Sequence, residues 1–297
     1  MAVLLVMILG AGVALFFPEW VLWMKGGLRP AFAVTMFFVG TLVKKQEIDA
    51  FMAAPHRPLI GLVGQYTIMP VSAFVVSLFF DDPMVRAGVV LVGCMPGAMA
   101  SNVMTVLLKG DLVMSVIMTT LATLVSPLVI GFWLPLLTDT RVSLPIGSMV
   151  WDATWMVALP VLFGAMLRNR VTQMPRFWDR IATGTAASAI VMIILVVAAA
   201  NRERLLEMGP GLTAGMIALN LGAYAVAFVV GRLLQWPPKQ RRTFIIEVGM
   251  QNAGLGSVLA LAHLGPAGAV PSAFYTGLCV MTAAMALPLL KIWERRK

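Results

Sequence analysis

Long apolar stretches alternate with short polar gaps along the whole chain. Ten such stretches cover approximately residues 1–17, 28–43, 58–80, 83–108, 112–137, 147–167, 181–200, 209–235, 243–264 and 268–290. A helix needs about 17–25 apolar residues to cross the hydrocarbon core of a bilayer. The pattern therefore predicts an all-α polytopic membrane protein with ten transmembrane helices and no soluble domain. The first stretch has no basic residue ahead of it and no small-residue cleavage site before Pro18, so we interpret it as a span, not a signal peptide.

The composition and the distribution of charge both favour a bilayer environment. Hydrophobic residues make up 60% of the chain and charged residues only 12%. The formal charge is +9, but the basic residues lie in the gaps, and 16 of the 22 fall in the even-numbered gaps and the C-terminal tail. Lys and Arg accumulate on the cytoplasmic side of membrane proteins. We therefore predict an integral protein of the bacterial inner (plasma) membrane with both termini cytoplasmic, surrounded by lipid and not binding nucleic acid.

The fourth and ninth stretches are both interrupted near mid-depth. The fourth contains Gly-Cys-Met-Pro-Gly at residues 93–97, and the ninth contains Gly-Met-Gln-Asn-Ala-Gly at residues 249–254. The polar pairs that follow or lie within these breaks, at 101–102 and 251–252, are 150 residues apart. Paired interrupted spans in two halves indicate a transporter binding site. With five spans in each half, the pattern predicts an inverted repeat, with repeat one at about residues 1–140 and repeat two at about 145–292.

Polar side chains near these breaks predict a sodium site. Glu247 lies within a span, whereas the other acidic residues fall in loops or near span ends, and an ionisable group inside the membrane is expensive. Sodium is a hard cation that prefers several oxygen ligands. Oxygen-bearing side chains are available from both halves of the chain. They are Gln65, Ser101, Asn102, Ser115, Thr119, Glu247 and Gln251. Ser115 and Thr119 are four residues apart and so share one helix face.

The two breaks also favour an anionic substrate. Half-helices that begin near Asn102 and Asn252 would direct free backbone N–H groups toward the middle of the membrane. Such helix N-termini attract negative charge. No Walker-type phosphate loop is present, and the two His residues have no Cys or carboxylate neighbours in the sequence that would suggest a metal site. We therefore predict a non-enzymatic secondary transporter of a small organic anion, with Na⁺ as the coupling ion, no organic cofactor and no obligate protein partner.

Four segments carry a family resemblance. They are Gly-Cys-Met-Pro at 93–96, Ala-Ser-Asn-Val-Met-Thr at 100–105, Lys-Gly-Asp at 109–111 and Glu-Val-Gly-Met-Gln-Asn-Ala-Gly-Leu at 247–255. In these segments, and from about residue 10 to 290 overall, the chain resembles the bile acid:sodium symporter family. The resemblance implies crossing broken helices at spans 4 and 9. It also implies a panel domain of spans 1, 2, 6 and 7 and a core domain of spans 3–5 and 8–10.

The resemblance further implies two sodium sites. One would use Ser101, Asn102, Ser115, Thr119 and Glu247. The other would use Gln65, Glu247, Gln251 and the backbone carbonyls of Val248 and Met250. All the side chains that the family uses for sodium are present in this sequence.

The substrate site departs from the family pattern. Bacterial members that bind bile acids have Gly-Gly-Thr before Ala-Ser-Asn, where this chain has Gly97-Ala98-Met99. They also have a His-Asn pair in the tenth span, where this chain has Cys279-Val280. The resemblance implies a substrate site at Met99, Ala100, Asn252 and Cys279. We interpret the cargo as bile-acid-like or as a smaller carboxylate, such as a pantoate-like or keto acid.

Other functions stay open at this stage. A proton-coupled or efflux carrier of a related anion is one alternative, with Glu247 as the titrating group. Cys94 in the fourth span keeps an arsenite-type carrier under consideration. An intramembrane enzyme would need paired carboxylates or a His/Asp cluster facing one cavity, and a single buried glutamate disfavours it. A channel is a further possibility that no motif supports.

Overall fold

The computed structural model describes residues 16–138, 144–171 and 209–294, together with scattered positions between 175 and 199. The helices are α1 (Glu19–Leu22), α2 (Leu28–Gly40), α3 (Lys45–Ala53), α4 (His56–Ser77), α5 (Pro83–Gly93), α6 (Met99–Leu107), α7 (Leu112–Leu137), α8 (Ile146–Ala153), α9 (Leu159–Arg170), α10 (Gly209–Leu233), α11 (Pro238–Gly249), α12 (Ala253–His263) and α13 (Gly265–Glu294). A 3₁₀ segment (Trp23–Gly27) joins α1 to α2, and a π-helical turn (Thr154–Ala158) joins α8 to α9.

The described part of the chain is all-helical and contains five continuous helices that are long and apolar enough to cross a membrane. They are His56–Ser77, Leu112–Leu137, Ile146–Arg170, Pro210–Leu233 and Gly265–Met285. The helical stretch Glu19–Gly40 and α3 form a bent pair at 69° that would supply a sixth. Residues 1–15 of the predicted first span and most of the predicted seventh lie outside the described residues. The all-helical membrane class is confirmed, and the count of ten spans stays a prediction.

Two helical regions lie where the hydropathy pattern placed only gaps. One is α3 (Lys45–Ala53), between the second and third stretches, and the other lies between the first two. Residues 18–27 separate the first two apolar stretches, yet α1 and the 3₁₀ segment occupy Glu19–Gly27. The buried Val21 and Leu28 belong to the same hydrophobic core cluster, which attaches this region to the rest of the protein. Burial of two side chains is enough to order a short helical segment, but it leaves no long apolar run for a hydropathy window to detect.

Two pairs of helices are separated by short non-helical breaks that cross each other. α5 ends at Gly93 and α6 begins at Met99, while α11 ends at Gly249 and α12 begins at Ala253. The break segments run antiparallel. The backbone amide of Ala98 donates to the carbonyl of Met250 at 2.8 Å, and the backbone amide of Asn252 donates to the carbonyl of Pro96 at 2.7 Å. Each break therefore supplies partners to the other, in a region where unpaired backbone groups are costly.

The helices pack through small residues as well as through large apolar side chains. A Cβ added at Gly40 in α2 would lie 2.1 Å from the carbonyl oxygen of Val161. A Cβ added at Gly164 in α9 would lie 2.1 Å from the carbonyl oxygen of Phe37. These two glycines let α2 and α9 approach backbone to backbone, as small residues do in membrane helix pairs. A second apolar cluster joins α4, α5, α7, α10, α11 and α13 around the crossing.

A polar cluster around the buried Asp152 links three distant parts of the chain. The Asp152 carboxylate in α8 lies 3.0 Å from Nη2 of Arg29 in α2 and 2.7 Å from Nε2 of His263 at the end of α12. Trp155 Nε1 also donates to Asp152, at 2.8 Å. Asp152 is only 5% exposed, although its place near a span end suggested an ordinary interfacial carboxylate. Its partners offset the cost of burying the charge.

Candidate cation site at the helix crossing

Glu247 is the centre of a buried polar cluster. It lies in the last turn of α11, just before the second break, and is 0% exposed. Its Oε1 accepts hydrogen bonds from Ser101 Oγ and Ser115 Oγ, both at 2.5 Å, and its Oε2 accepts one from Thr119 Oγ1 at 2.8 Å. The described part of the chain provides no basic side chain that pairs with it. Three hydroxyl donors therefore surround a carboxylate that no cationic residue neutralises.

Three helices position these groups. Ser101 is in the first turn of α6, immediately after the first break, and is fully buried. Ser115 and Thr119 lie one turn apart on α7, as their spacing predicted, and Ser101 Oγ is 3.4 Å from Thr119 Oγ1. Thr105, one turn beyond Ser101, extends the cluster because its Oγ1 is 3.2 Å from Ser115 Oγ. Sequence reasoning assigned no role to Thr105, although the i, i+4 spacing from Ser101 could have indicated one.

Among the predicted sodium ligands, three buried amide oxygens have no hydrogen-bond partner. They belong to Gln65, Asn102 and Gln251. Gln65 in α4 is 0% exposed and neither atom of its amide group is paired. Gln251 Nε2 donates to the carbonyl of Val248 at 2.7 Å, which leaves only its Oε1 unpaired. Buried polar atoms are nearly always satisfied in proteins, so these acceptors, like those of Asn220 and Gln240, are available to a hydrogen-bond donor or a cation. Their chemistry fits a hard cation.

The helix α4, which carries Gln65, packs directly on α11. A Cβ added at Gly64 would lie 2.7 Å from Cζ of Phe244, one turn before Glu247. The carbonyls of Val248 and Met250 are at the end of α11 and in the second break, and Met250 O accepts the amide of Ala98. The residues predicted for the second sodium site therefore occupy two packed elements, α4 and the α11 break.

The residues predicted to contact substrate surround the same crossing. Met99 and Ala100 begin α6 and are partly exposed. Asn252 caps α12, where its Oδ1 accepts the amide of Leu255 at 3.2 Å. Cys279 in α13 is 1% exposed, and its Sγ lies 4.0 Å from the carbonyl of Gln251, so it packs behind the second break. The N-termini of α6 and α12 and the partly exposed side-chain amide of Asn252 thus lie beside the cluster around Glu247.

Two buried residues that sequence reasoning missed also reach the second break. Asn220 in α10 and Tyr275 in α13 are both 0% exposed and both donate to the carbonyl of Gly249 at 2.9 Å. An amide in the middle of the otherwise apolar stretch 209–235 is the signal that could have identified Asn220.

The arrangement suits cation binding better than catalysis. Glu247 is surrounded by hydroxyl donors, and the described residues contain no group of three or more His, Cys, Asp or Glu side chains that could hold a metal ion. Carboxylate and hydroxyl oxygens between two broken helices are typical of ion sites in secondary transporters. The fold and the site together define a membrane transporter.

Comparison with known proteins identifies the family. The chain belongs to the Sodium Bile acid symporter family, whose model matches residues 29–208. It is 32% identical to the uncharacterized sodium-dependent transporter YocS of Bacillus subtilis, over 94% of this chain and 87% of the relative. It is 28% identical to a probable chloroplastic sodium/metabolite cotransporter of Arabidopsis thaliana, over 96% of this chain and 75% of the relative.

A human relative extends the comparison to bile acid carriers. The chain is 30% identical to the human ileal sodium/bile acid cotransporter, over 79% of this chain and 68% of the relative. The family resemblance expected from the sequence is therefore confirmed. The relatives are named as transporters or cotransporters, in agreement with the expectation that the chain is not an enzyme. They give no support to a proton-coupled or arsenite-type carrier.

Proposed function

We propose that the protein is a secondary active transporter that couples the entry of Na⁺ to the uptake of a small organic anion by alternating access. The single observation that carries this proposal is Glu247, a fully buried carboxylate held by three hydroxyls at the crossing of two broken helices. A carboxylate without a cationic side chain is costly in the membrane unless a cation joins it. Membership of a family with sodium-dependent relatives makes Na⁺ the best candidate.

Two sodium sites share Glu247 in this proposal. The first comprises Ser101, Asn102, Ser115, Thr119 and Glu247, and the second comprises Gln65, Glu247, Gln251 and the carbonyls of Val248 and Met250. The hydroxyl contacts of Glu247 support the first site, since the same oxygens can turn their lone pairs to a cation. The unpaired oxygens of Gln65 and Gln251 support the second site.

The substrate in this proposal is a carboxylate or a similar small anion. It would bind beside the N-termini of α6 and α12, in contact with Asn252, Met99, Ala100 and Cys279. The partly exposed positions of the first three residues support this placement. Two sodium ions and one ionised Glu247 leave the region locally positive, so that a monoanion is attracted to it.

The architecture proposed for this cycle has ten spans in an inverted five-plus-five repeat. Spans 1, 2, 6 and 7 form a panel, and spans 3–5 and 8–10 form a core. The two breaks support it, since they lie at matching positions of the two halves and cross antiparallel. We place both termini in the cytoplasm of a bacterium, and reporter tags at each end should be accessible from the cytoplasm only. A periplasmic C-terminus would contradict the span count.

Uptake into proteoliposomes tests the function directly. Radiolabelled carboxylates from a panel are offered with an inward gradient of sodium or of potassium, and accumulation is expected with sodium alone. Glu247→Ala should abolish the sodium-dependent component. Gly222→Ala serves as the matched control, because a Cβ at Gly222 in α10 has no atom within 4 Å. Equal uptake in sodium and potassium would refute sodium coupling.

A further inference from the structure

The carbonyl of Gly249 is freed by the second break and needs new hydrogen-bond partners. In a continuous helix it would accept the amide of residue 253. The amide of Ala253 instead donates to the carbonyl of Gln251 at 2.8 Å. Gly249 is buried as the last residue of α11, so an unpaired carbonyl there would carry a desolvation penalty.

Asn220 and Tyr275 supply those partners from two other helices. Asn220 Nδ2 and Tyr275 Oη each lie 2.9 Å from the carbonyl oxygen of Gly249, and Asn220 Nδ2 is also 2.9 Å from Tyr275 Oη. The three groups form a closed triangle in which both side chains are 0% exposed. The triangle supplies two donors to the Gly249 carbonyl, while Asn220 Oδ1 itself has no partner. Loss of either donor would weaken the hold on that carbonyl.

The ring of Tyr224 also packs against Gly249. A Cβ added at Gly249 would lie 2.0 Å from Cε1 of Tyr224, so the ring is in direct contact with the backbone of the glycine. Tyr224 is one turn from Asn220 on α10, and its hydroxyl is 3.5 Å from the carbonyl of Cys279, one turn from Tyr275 on α13. Side chains of α10 and α13 therefore contact the Gly249 peptide, which begins the second break.

We propose that Asn220 and Tyr275 are positioning residues that set the sodium affinity by fixing the orientation of the Gly249 peptide. This inference rests on the proposed function, since it concerns the second sodium site. The carbonyls of Val248 and Met250 flank Gly249, and each accepts one hydrogen bond, from Gln251 Nε2 and from the amide of Ala98. Each carbonyl oxygen keeps a second lone pair. A fixed Gly249 peptide restricts the dihedral angles on both sides and so holds those lone pairs in place.

Sodium titrations of purified protein in detergent test the inference. Tyr275→Phe removes one donor with almost no change in shape, and Asn220→Leu removes the amide at similar volume. Thermal stability is followed against NaCl, and separately against LiCl, with choline chloride maintaining the ionic strength. We expect the apparent sodium Kd to rise about tenfold in Asn220→Leu and by a smaller factor in Tyr275→Phe. The ratio of lithium to sodium affinity should also change, because relaxed carbonyls adapt to a cation of another size.

Ser272→Ala is the matched control on α13. Its hydroxyl is buried and makes no hydrogen bond, and a Cβ added at Gly256 in α12 would lie 2.6 Å from it. The inference would be overturned if the variants kept the wild-type sodium Kd and the lithium-to-sodium affinity ratio within twofold. A fall only in their stability without sodium would show that Asn220 and Tyr275 have a structural role alone. If Asn220→Leu does not fold, the sodium Kd and the lithium ratio of Tyr275→Phe still test the inference. A wild-type protein stabilised equally by choline and sodium would instead contradict the proposed function.

Discussion

Gly97→Ala should weaken sodium binding without disrupting the fold. A Cβ at this position would lie 2.6 Å from Oε2 of Glu247 and 3.6 Å from Oγ1 of Thr119. Gly97 is not among the described residues with positive φ, so its backbone conformation accepts alanine. The obstructing atom is the end of a flexible side chain, which can move when the methyl group is added.

The size of the effect follows from this geometry. A normal contact between carbon and oxygen is about 3.3 Å, so the carboxylate must retreat by about 0.7 Å. That displacement would stretch or break the 2.8 Å hydrogen bond from Thr119 to Oε2. A hydrogen bond to a charged group contributes about 1.5–3 kcal/mol. If Glu247 binds sodium from its present position, the displaced carboxylate should bind it less well. The affinity falls roughly 10- to 100-fold where the lost sodium contact is worth as much as that hydrogen bond.

A sodium titration of thermal stability, with potassium replacing sodium at constant ionic strength, measures this change. The midpoint of the sodium response should move to higher concentration in Gly97→Ala, and stability in potassium should fall by no more than the contribution of the weakened Thr119 hydrogen bond. Gly222→Ala is the control, since its added methyl group meets no atom within 4 Å. A Gly97→Ala protein that responds to sodium as the wild type does would refute the idea that Glu247 is a sodium ligand held by Thr119.

Three further predictions address charge and stability. Glu247→Gln should lose the sodium-specific rise in thermal stability. In a protein that binds sodium at one site, that rise reaches about 2.7 kcal/mol at a sodium concentration 100 times the Kd. A rise that persists in the variant would exclude Glu247 from the site. Asp152→Asn should lower the melting temperature in sodium and potassium alike, because Arg29 and His263 lose their shared carboxylate. The Arg29 side chain is 39% exposed, so the cost should lie below the about 3–5 kcal/mol of a fully buried pair. The exposed Asp49→Asn should have no such effect. Transport of two sodium ions with one monoanion moves one net positive charge, worth about 2.3 kcal/mol per 100 mV. A negative potential imposed with valinomycin should therefore accelerate uptake, and a sodium-dependent but voltage-independent rate would contradict that stoichiometry once a voltage-insensitive rate-limiting step is excluded.

The sequence by itself determined the helical class, several span bounds and the location of the breaks. The predicted stretch 112–137 coincides with α7, and the interruptions at 93–97 and 249–254 contain the actual helix ends. These features depend largely on local composition, because insertion of a span depends on its own hydropathy and clustered Pro and Gly weaken helical hydrogen bonds. A single Pro does not end a helix here, since α7 continues through Pro127 and Pro135. The family could also be identified from local motifs.

Only the tertiary structure decided which polar groups meet. Ser101, Ser115 and Thr119 are 128–146 residues from Glu247 in the chain, yet their hydroxyls share its carboxylate. The contacts of Asn220 and Tyr275 with the Gly249 carbonyl, and those of Asp152 with Arg29 and His263, were likewise decided by the tertiary structure. Hydropathy reports how each segment partitions into the bilayer, whereas these contacts arise when packed helices must satisfy every buried polar group from other parts of the chain.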